Sequence, residues 1–191
     1  TDKMKDKTRD LEDLKKVIEE EEVDLMIIDT LNILNSKDNY YTTSSCAGRM
    51  ILIELEEMGG KKESNFIFKS HEKVDYKDIW RIINEYSGKN ILFLIVNSPI
   101  IHVVCRDIDS AKKLISVSKD SGFKYSSIFS MADKIIVEIR STEKMDVPVV
   151  KDFKVYPSEE YIMMLVDIGN QLIGRIKNKI ERLNTNLRSI E

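Results

Sequence analysis

With 191 residues, 42% hydrophobic and 33% charged, the chain is long enough for one domain with a sizeable core and is not a disordered polymer. A net charge of −3 does not mark a general nucleic-acid coat, the N-terminal TDKMKDKTRD carries no apolar signal region, and the longest apolar run, ILFLIV (91–96), cannot span a bilayer. Two cysteines, Cys46 and Cys105, make neither a metal-type pair nor a disulfide framework, so a reducing cytoplasm is the expected compartment.

Residues 6–35 are predicted helical, with a break near the acidic run at 19–22. Leu11, Leu14, Val17 and Ile18 form a first apolar stripe; Asp24 would cap a second helix carrying Ile27, Ile28, Leu31 and Leu34. A loop, YYTTSSCAGRM (40–50), leads into a strand at 50–55, and FIFKS (66–70) returns as another. Asp75 caps a helix that stops near Ser87-Gly88. ILFLIV and IIHVVC flank Ser98-Pro99 and are apolar enough to be central strands. Asp109 is expected to cap a helix closing at Gly122, and KIIVEIR (134–140) is a strand. Ser158 caps a final helix of about 30 residues with Tyr161, Leu165, Ile168, Leu172, Ile176, Ile180, Leu183 and Leu187 on one stripe. Helices and strands mix without strict alternation, so the expected class is α+β with a mixed sheet and flanking helices.

Charge is uneven. Residues 1–35 hold six basic and eleven acidic side chains, a balance of −5, which leaves +2 on the rest. Within 170–190, five basic residues including Arg175, Lys179 and Arg182 face only Glu181. Such a stripe is either a solvated helix face or a phosphate contact. There is also an internal echo. YTTSSCAGRMILIEL (41–55) resembles KYSSIFSMADKIIVEIR (124–140), and FIFKSHEKVDYKDI (66–79) resembles IIHVVCRDIDSAKKL (100–114). The blocks occur in opposite order, as in a duplication with interleaved halves. It would put Ser44-Ser45 and Ser126-Ser127, and likewise His71 and His102, in related places.

The run Ser44-Ser45-Cys46-Ala47-Gly48-Arg49 is the densest cluster of functional side chains. It is either an anion-binding nest with Arg49 as charge partner, or a turn whose hydroxyls bond their own backbone. Cys46 lies too close to Arg49 for a phosphatase cradle and is either a nucleophile served by a histidine or a packing residue. His71, at a strand end, is positioned to exchange protons; His102, inside an apolar strand, lines a cleft or is packed. The two histidines and two cysteines lack zinc-ligand spacing, and neither G-x4-G-K-[ST] nor G-x-G-x-x-G occurs. Tyr76 and Trp80 sit on an apolar helix face, as core or as base-stacking rings.

Taken in order, YYTTSSCAGRM, IIHVVCRDIDSAKKL, DSGFKYSSI, EIRSTEKMDVPV and the closing EEYI…GNQL…KNKIERL resemble the tRNA wybutosine-synthesising protein 3 family from about Val23 to the end. The resemblance implies an S-adenosylmethionine-dependent enzyme of tRNA modification with a fold unlike the Rossmann methyltransferases. Its implied substrate is N-4 of the tricyclic base at position 37 of phenylalanine tRNA. It implies a cofactor or base pocket at Ser44, Ser45, Cys46, Gly48 and Arg49. His71 is then the first candidate for the general base and His102 the second. Arg106, Arg140, Ser141 and Thr142 match family positions and become substrate contacts. Arg175, Lys179 and Arg182 become contacts to the anticodon arm. The other class of function compatible with these residues is a non-catalytic RNA- or cofactor-binding module serving another modification enzyme.

Overall fold

A computed structural model of the chain describes residues 25–56 and 65–190, with residue 4 and residues 6–8 before them. The first apolar stripe and the Asp24 cap lie outside the described residues. Four helices occur among the described residues: α1 (Leu25–Asn35), α2 (Tyr76–Glu85), α3 (Ile108–Asp120) and α4 (Glu159–Arg188). The strands are β1 (Tyr40–Cys46), β2 (Arg49–Leu55), β3 (Asn65–Ser70), β4 (Ile91–Asn97), β5 (Ile100–Cys105), β6 (Ser127–Ser130), β7 (Ile135–Arg140), β8 (Met145–Lys151) and β9 (Lys154–Val155).

Length suggests one domain, and the chain forms two compact units from interleaved segments. The first comprises 1–47, 98–142 and 176–191, the second 48–97 and 143–175. In the first, the sheet order is β1-β5-β7-β6; in the second it is β3-β2-β4-β8-β9. Every paired neighbour is antiparallel, which corrects the expected mixed sheet. The reason is topological. In each unit a helix joins two strands of like direction, β3-α2-β4 and β5-α3-β6, and one antiparallel strand, β2 or β7, is inserted between them. This split arrangement explains the internal echo: RMILIEL and KIIVEIR fill the same inserted slot, one before its β-α-β and one after. The serine pairs are not equivalent. Ser44-Ser45 lie on β1 and Ser127 on β6, at opposite edges of one sheet.

Burial follows the strand period. Leu92, Leu94 and Val96 of β4 are fully buried, and β4 is the middle strand of five. On β7 the buried residues are Ile135, Val137 and Ile139; on β5 they are Ile101, Val103 and Cys105 with Val104 buried as well, so only Ile100 and His102 of that strand stay partly exposed. In the first unit α1 buries Ile27, Leu31 and Leu34, and the C-terminal part of α4 buries Ile176, Ile180, Leu183 and Leu187. Thr30 donates to Asn184 Oδ1 at 2.6 Å, tying these two helices. The expected α4 stripe drifts in its first half: Tyr161 and Ile168 are exposed, whereas Ile162, Leu165 and Val166 are buried in the second unit.

The caps are local. Asp75 accepts from Lys77 N at 3.0 Å and starts α2. Helix α3 is capped by Asp107, not Asp109: Asp107 stays extended after β5, and its carboxylate accepts from Ser110 N at 2.8 Å. Those hydrogen bonds hold the Asp107 carboxyl below the usual carboxylate range. Asp109 sits in the first turn, where its charge meets the helix dipole. Gly122 closes α3 at φ +105°, with the Lys179 side chain 3.0 Å from where a Cβ would stand. Gly122→Ala is therefore expected to cost about 1–3 kcal/mol of stability in a denaturant titration.

Candidate active site

Strand β5 is interior to its sheet, and His102 projects from it onto the open side. Glu138 lies directly across on β7, so the two side chains share a face. His102 Nε2 lies 2.8 Å from Glu138 Oε2. A carboxylate only accepts, so Nε2 carries the proton and the Nδ1 lone pair faces the other way. Ser44 meets it: its hydroxyl donates to His102 Nδ1 at 3.0 Å. The result is a continuous line from Ser44 through His102 to Glu138.

Two edge irregularities aim side chains at this imidazole. On β1 the register with β5 shifts between Thr42 and Ser45, so Thr43 and Ser44 together oppose His102. On β6 it shifts between Ile128 and Ser130, leaving Phe129 as the extra residue. A bulge re-aims the side chain it carries. Phe129 stacks on His102 with centroids 4.5 Å apart and an interplanar angle of 28°. Arg140, on the Glu138 face of β7, places a guanidinium nitrogen 3.8 Å from Glu138 Oε1.

The remaining motif residues fall elsewhere. Residues 40–46 are strand β1, not the expected loop, because Tyr and Thr suit a pleated strand and the segment pairs antiparallel with β5. Ser45 and Cys46 pair in register with Ile101 and Ile100. In the second unit, the Gly48 carbonyl accepts from His71 Nδ1 at 3.0 Å, which fixes the His71 tautomer with its lone pair on Nε2. Gly122 alone among described glycines has positive φ, so Gly48 does not make the αR-αL nest expected there. Arg49 begins β2 and lies over the Phe66 ring, 5.1 Å from its centroid. No carboxylate among the described residues pairs with it.

Among the expected substrate contacts only Ser141 is buried; the others are partly or fully exposed. Ser141 is 3% exposed; its N–H and hydroxyl both reach Ser98 Oγ, at 2.9 and 3.0 Å, so its hydroxyl is not presented to a ligand. Arg106 is exposed and donates to the Asp38 carbonyl at 3.1 Å. Thr142 is exposed. Along α4, Arg175 and Arg182 are exposed, while the Lys179 stem lies over Gly122. Tyr76 and Trp80 are half-buried on α2, whose buried residues are Ile79 and Ile83.

Cys105 is fully buried, and burial pushes its thiol up to about 12. At pH 8 only about one molecule in ten thousand carries that thiolate. Iodoacetamide is therefore expected to label the half-exposed Cys46 in the folded protein and Cys105 only after unfolding, as peptide mapping will read.

Residue-level reading missed Glu138 and Phe129. Glu138 was visible as the one acid in an otherwise apolar strand with a terminal arginine, but its histidine partner is 36 residues away. Phe129 carries no signal in SSIFSM beyond its type, because its role comes from a bulge in strand pairing. Among the described residues, no three His, Cys, Asp or Glu side chains cluster as metal ligands, and no helix is long and apolar enough to cross a membrane.

The family model described as Methyltransferase TYW3 matches residues 5–189. The chain is 37% identical over 191 residues to the tRNA(Phe) 7-((3-amino-3-carboxypropyl)-4-demethylwyosine(37)-N(4))-methyltransferase 1 of Thermococcus kodakarensis, covering 100% of this chain and 95% of that one. It is 38% identical over 181 residues to the methyltransferase of the same designation, without the final numeral, from Methanocaldococcus jannaschii, covering 94% and 93%. Among solved structures, the PH1069 protein of Pyrococcus horikoshii superposes with a TM-score of 0.90 at 36% identity, covering 96% of this chain and 95% of that one. A hypothetical protein of Aeropyrum pernix shares the fold, with a TM-score of 0.74 at 24% identity over 86% of this chain and 97% of that one. On this match and the agreement of fold, the chain belongs to the Methyltransferase TYW3 family.

Proposed function

We propose that this chain is an S-adenosylmethionine-dependent tRNA methyltransferase acting on N-4 of the tricyclic base at position 37 of phenylalanine tRNA, the reaction named for its relatives. The observation that carries the chemistry is the line Ser44–His102–Glu138. Methylating a ring nitrogen requires that nitrogen to lose its proton, and this line is built to take one. As the new N–C bond forms, Ser44 Oγ accepts the acceptor's proton and hands its own to His102 Nδ1. The imidazolium so formed is faced by the Glu138 carboxylate, which also fixes the ring's tautomer. Arg140 holds the other Glu138 oxygen and, being partly exposed, is also open to a phosphate.

The methyl donor, when bound, supplies a methyl group on a sulfonium that leaves as a neutral thioether. The chain's groups fit its amino-acid end: Arg49 is a guanidinium without a carboxylate partner among the described residues, suited to a bidentate carboxylate contact. Gly48, its neighbour in the second unit, is the candidate remainder of that cradle, and Ser45 and Cys46 on β1 stay as candidate contacts of the first unit. Arg175, Lys179 and Arg182 follow one another at i, i+4 and i+7 on α4, the spacing that puts side chains on one helix face. They are the candidate contacts to the anticodon arm, with Arg106 and Thr142 as further exposed positions.

The test is incubation of the protein with S-adenosylmethionine and tRNA carrying the tricyclic precursor, followed by nucleoside mass analysis. The tricyclic nucleoside is expected to gain the mass of one CH2. Calorimetric binding of donor and tRNA with no mass gain would overturn the reading in favour of a non-catalytic module.

A further inference from the structure

Resting on that function, the surroundings of His102 contain a second recognition element that the proton path does not use. Phe129 covers one face of the imidazole, yet the residue is 60% exposed, so the outer ring surface is open. It is placed there by the β6 bulge, on the edge strand of its sheet, and the neighbouring Tyr125 and Met131 are also strongly exposed. Core packing does not explain an aromatic ring presented this way. The edge is already blunted by the four-residue length of β6 and by its bulge, so the exposed ring is not what protects it.

We infer that Phe129 is a stacking platform for an unpaired nucleobase adjacent to the methylated one. The geometry sets which base. A ring lying on the outer face of Phe129 would sit one aromatic thickness beyond a side chain already 4.5 Å from His102, too far to offer its own N–H to Ser44. A neighbour in a single-stranded loop is the nucleotide that reaches this position when the target base is turned toward Ser44 and His102. Stacking is indifferent to base identity, which suits a loop contact whose purpose is to hold the strand while the target is displaced. The occupant is thus a flanking nucleobase of single-stranded RNA, held by its π-face.

The probe is an anticodon-loop oligonucleotide carrying 2-aminopurine on either side of the target position. With wild-type protein, fluorescence at one flanking position is expected to be quenched by stacking. Phe129→Ala should abolish that quenching and raise KM for precursor tRNA about ten- to hundredfold with kcat little changed; Phe129→Trp should restore both, and Phe129→Leu should not. Unchanged quenching and KM in Phe129→Ala would overturn the inference. So would a fall in kcat alone, which would make Phe129 only a support for His102. A change of oligomeric state with the fluorescence unaltered would assign the strand to a second copy of the chain, again overturning it. If wild-type protein itself transfers no methyl group, the proposed function fails rather than this subsite.

Discussion

His102→Ala is expected to slow methyl transfer by about 10²–10⁴-fold while leaving donor and tRNA affinity near wild type. The imidazole is the only member of the line placed against the Ser44 hydroxyl, and its two hydrogen bonds are directional. Glu138 fixes Nε2 as the donor, so Nδ1 must be the acceptor for Ser44. Removing the ring strands the Ser44 hydroxyl without a base and leaves Glu138 facing Arg140. Single-turnover rates paired with calorimetry separate this from a binding defect. His71→Ala is expected to behave differently. Its Nδ1 proton is committed to the Gly48 carbonyl, so its loss should disturb the conformation of the motif and donor affinity more than the chemical step. The contrast between the two variants tests which histidine is the base, and the proposed proton path predicts His102.

Arg49→Ala is expected to weaken S-adenosylmethionine binding by about 10–100-fold, the worth of a charge-assisted hydrogen bond of about 1.5–3 kcal/mol. The fold should survive, because the guanidinium is half-exposed and lies over the Phe66 ring, on the edge strand β3. Arg49→Lys should recover only part of the affinity, since an ammonium keeps the charge but not the planar fork. Calorimetry with the donor alone, beside a thermal melt, reads both. A variant that melts early and binds normally would make Arg49 a structural residue over Phe66.

Much of this architecture was legible from local chemistry. The interior places of ILFLIV and IIHVVC in their sheets, the Asp75 cap and the positive-φ Gly122 all follow from residue type and spacing. Strands with weaker local signals were harder. Residues 40–46 looked like a loop because serine and threonine favour turns, yet pairing with β5 overrode that preference. Strand β8 was hidden by Pro148, which a paired strand tolerates here beside a register shift. The internal echo marked corresponding elements but not corresponding side chains: the inserted strands match, while the serine pairs land at opposite sheet edges. At the site, residue types pointed to Ser44 and His102 separately. Their union needs two bulges and a cross-strand glutamate, features that exist only once strands are paired.

The most direct measurement is a single-turnover time course of CH2 mass gain on the tricyclic nucleoside, run with wild type, Ser44→Ala, His102→Ala and the double variant. A shared proton path predicts a rapid gain for wild type, large losses in each single variant, and a double variant no slower than the slower single. No gain with wild type, or single losses that multiply in the double variant, would contradict it.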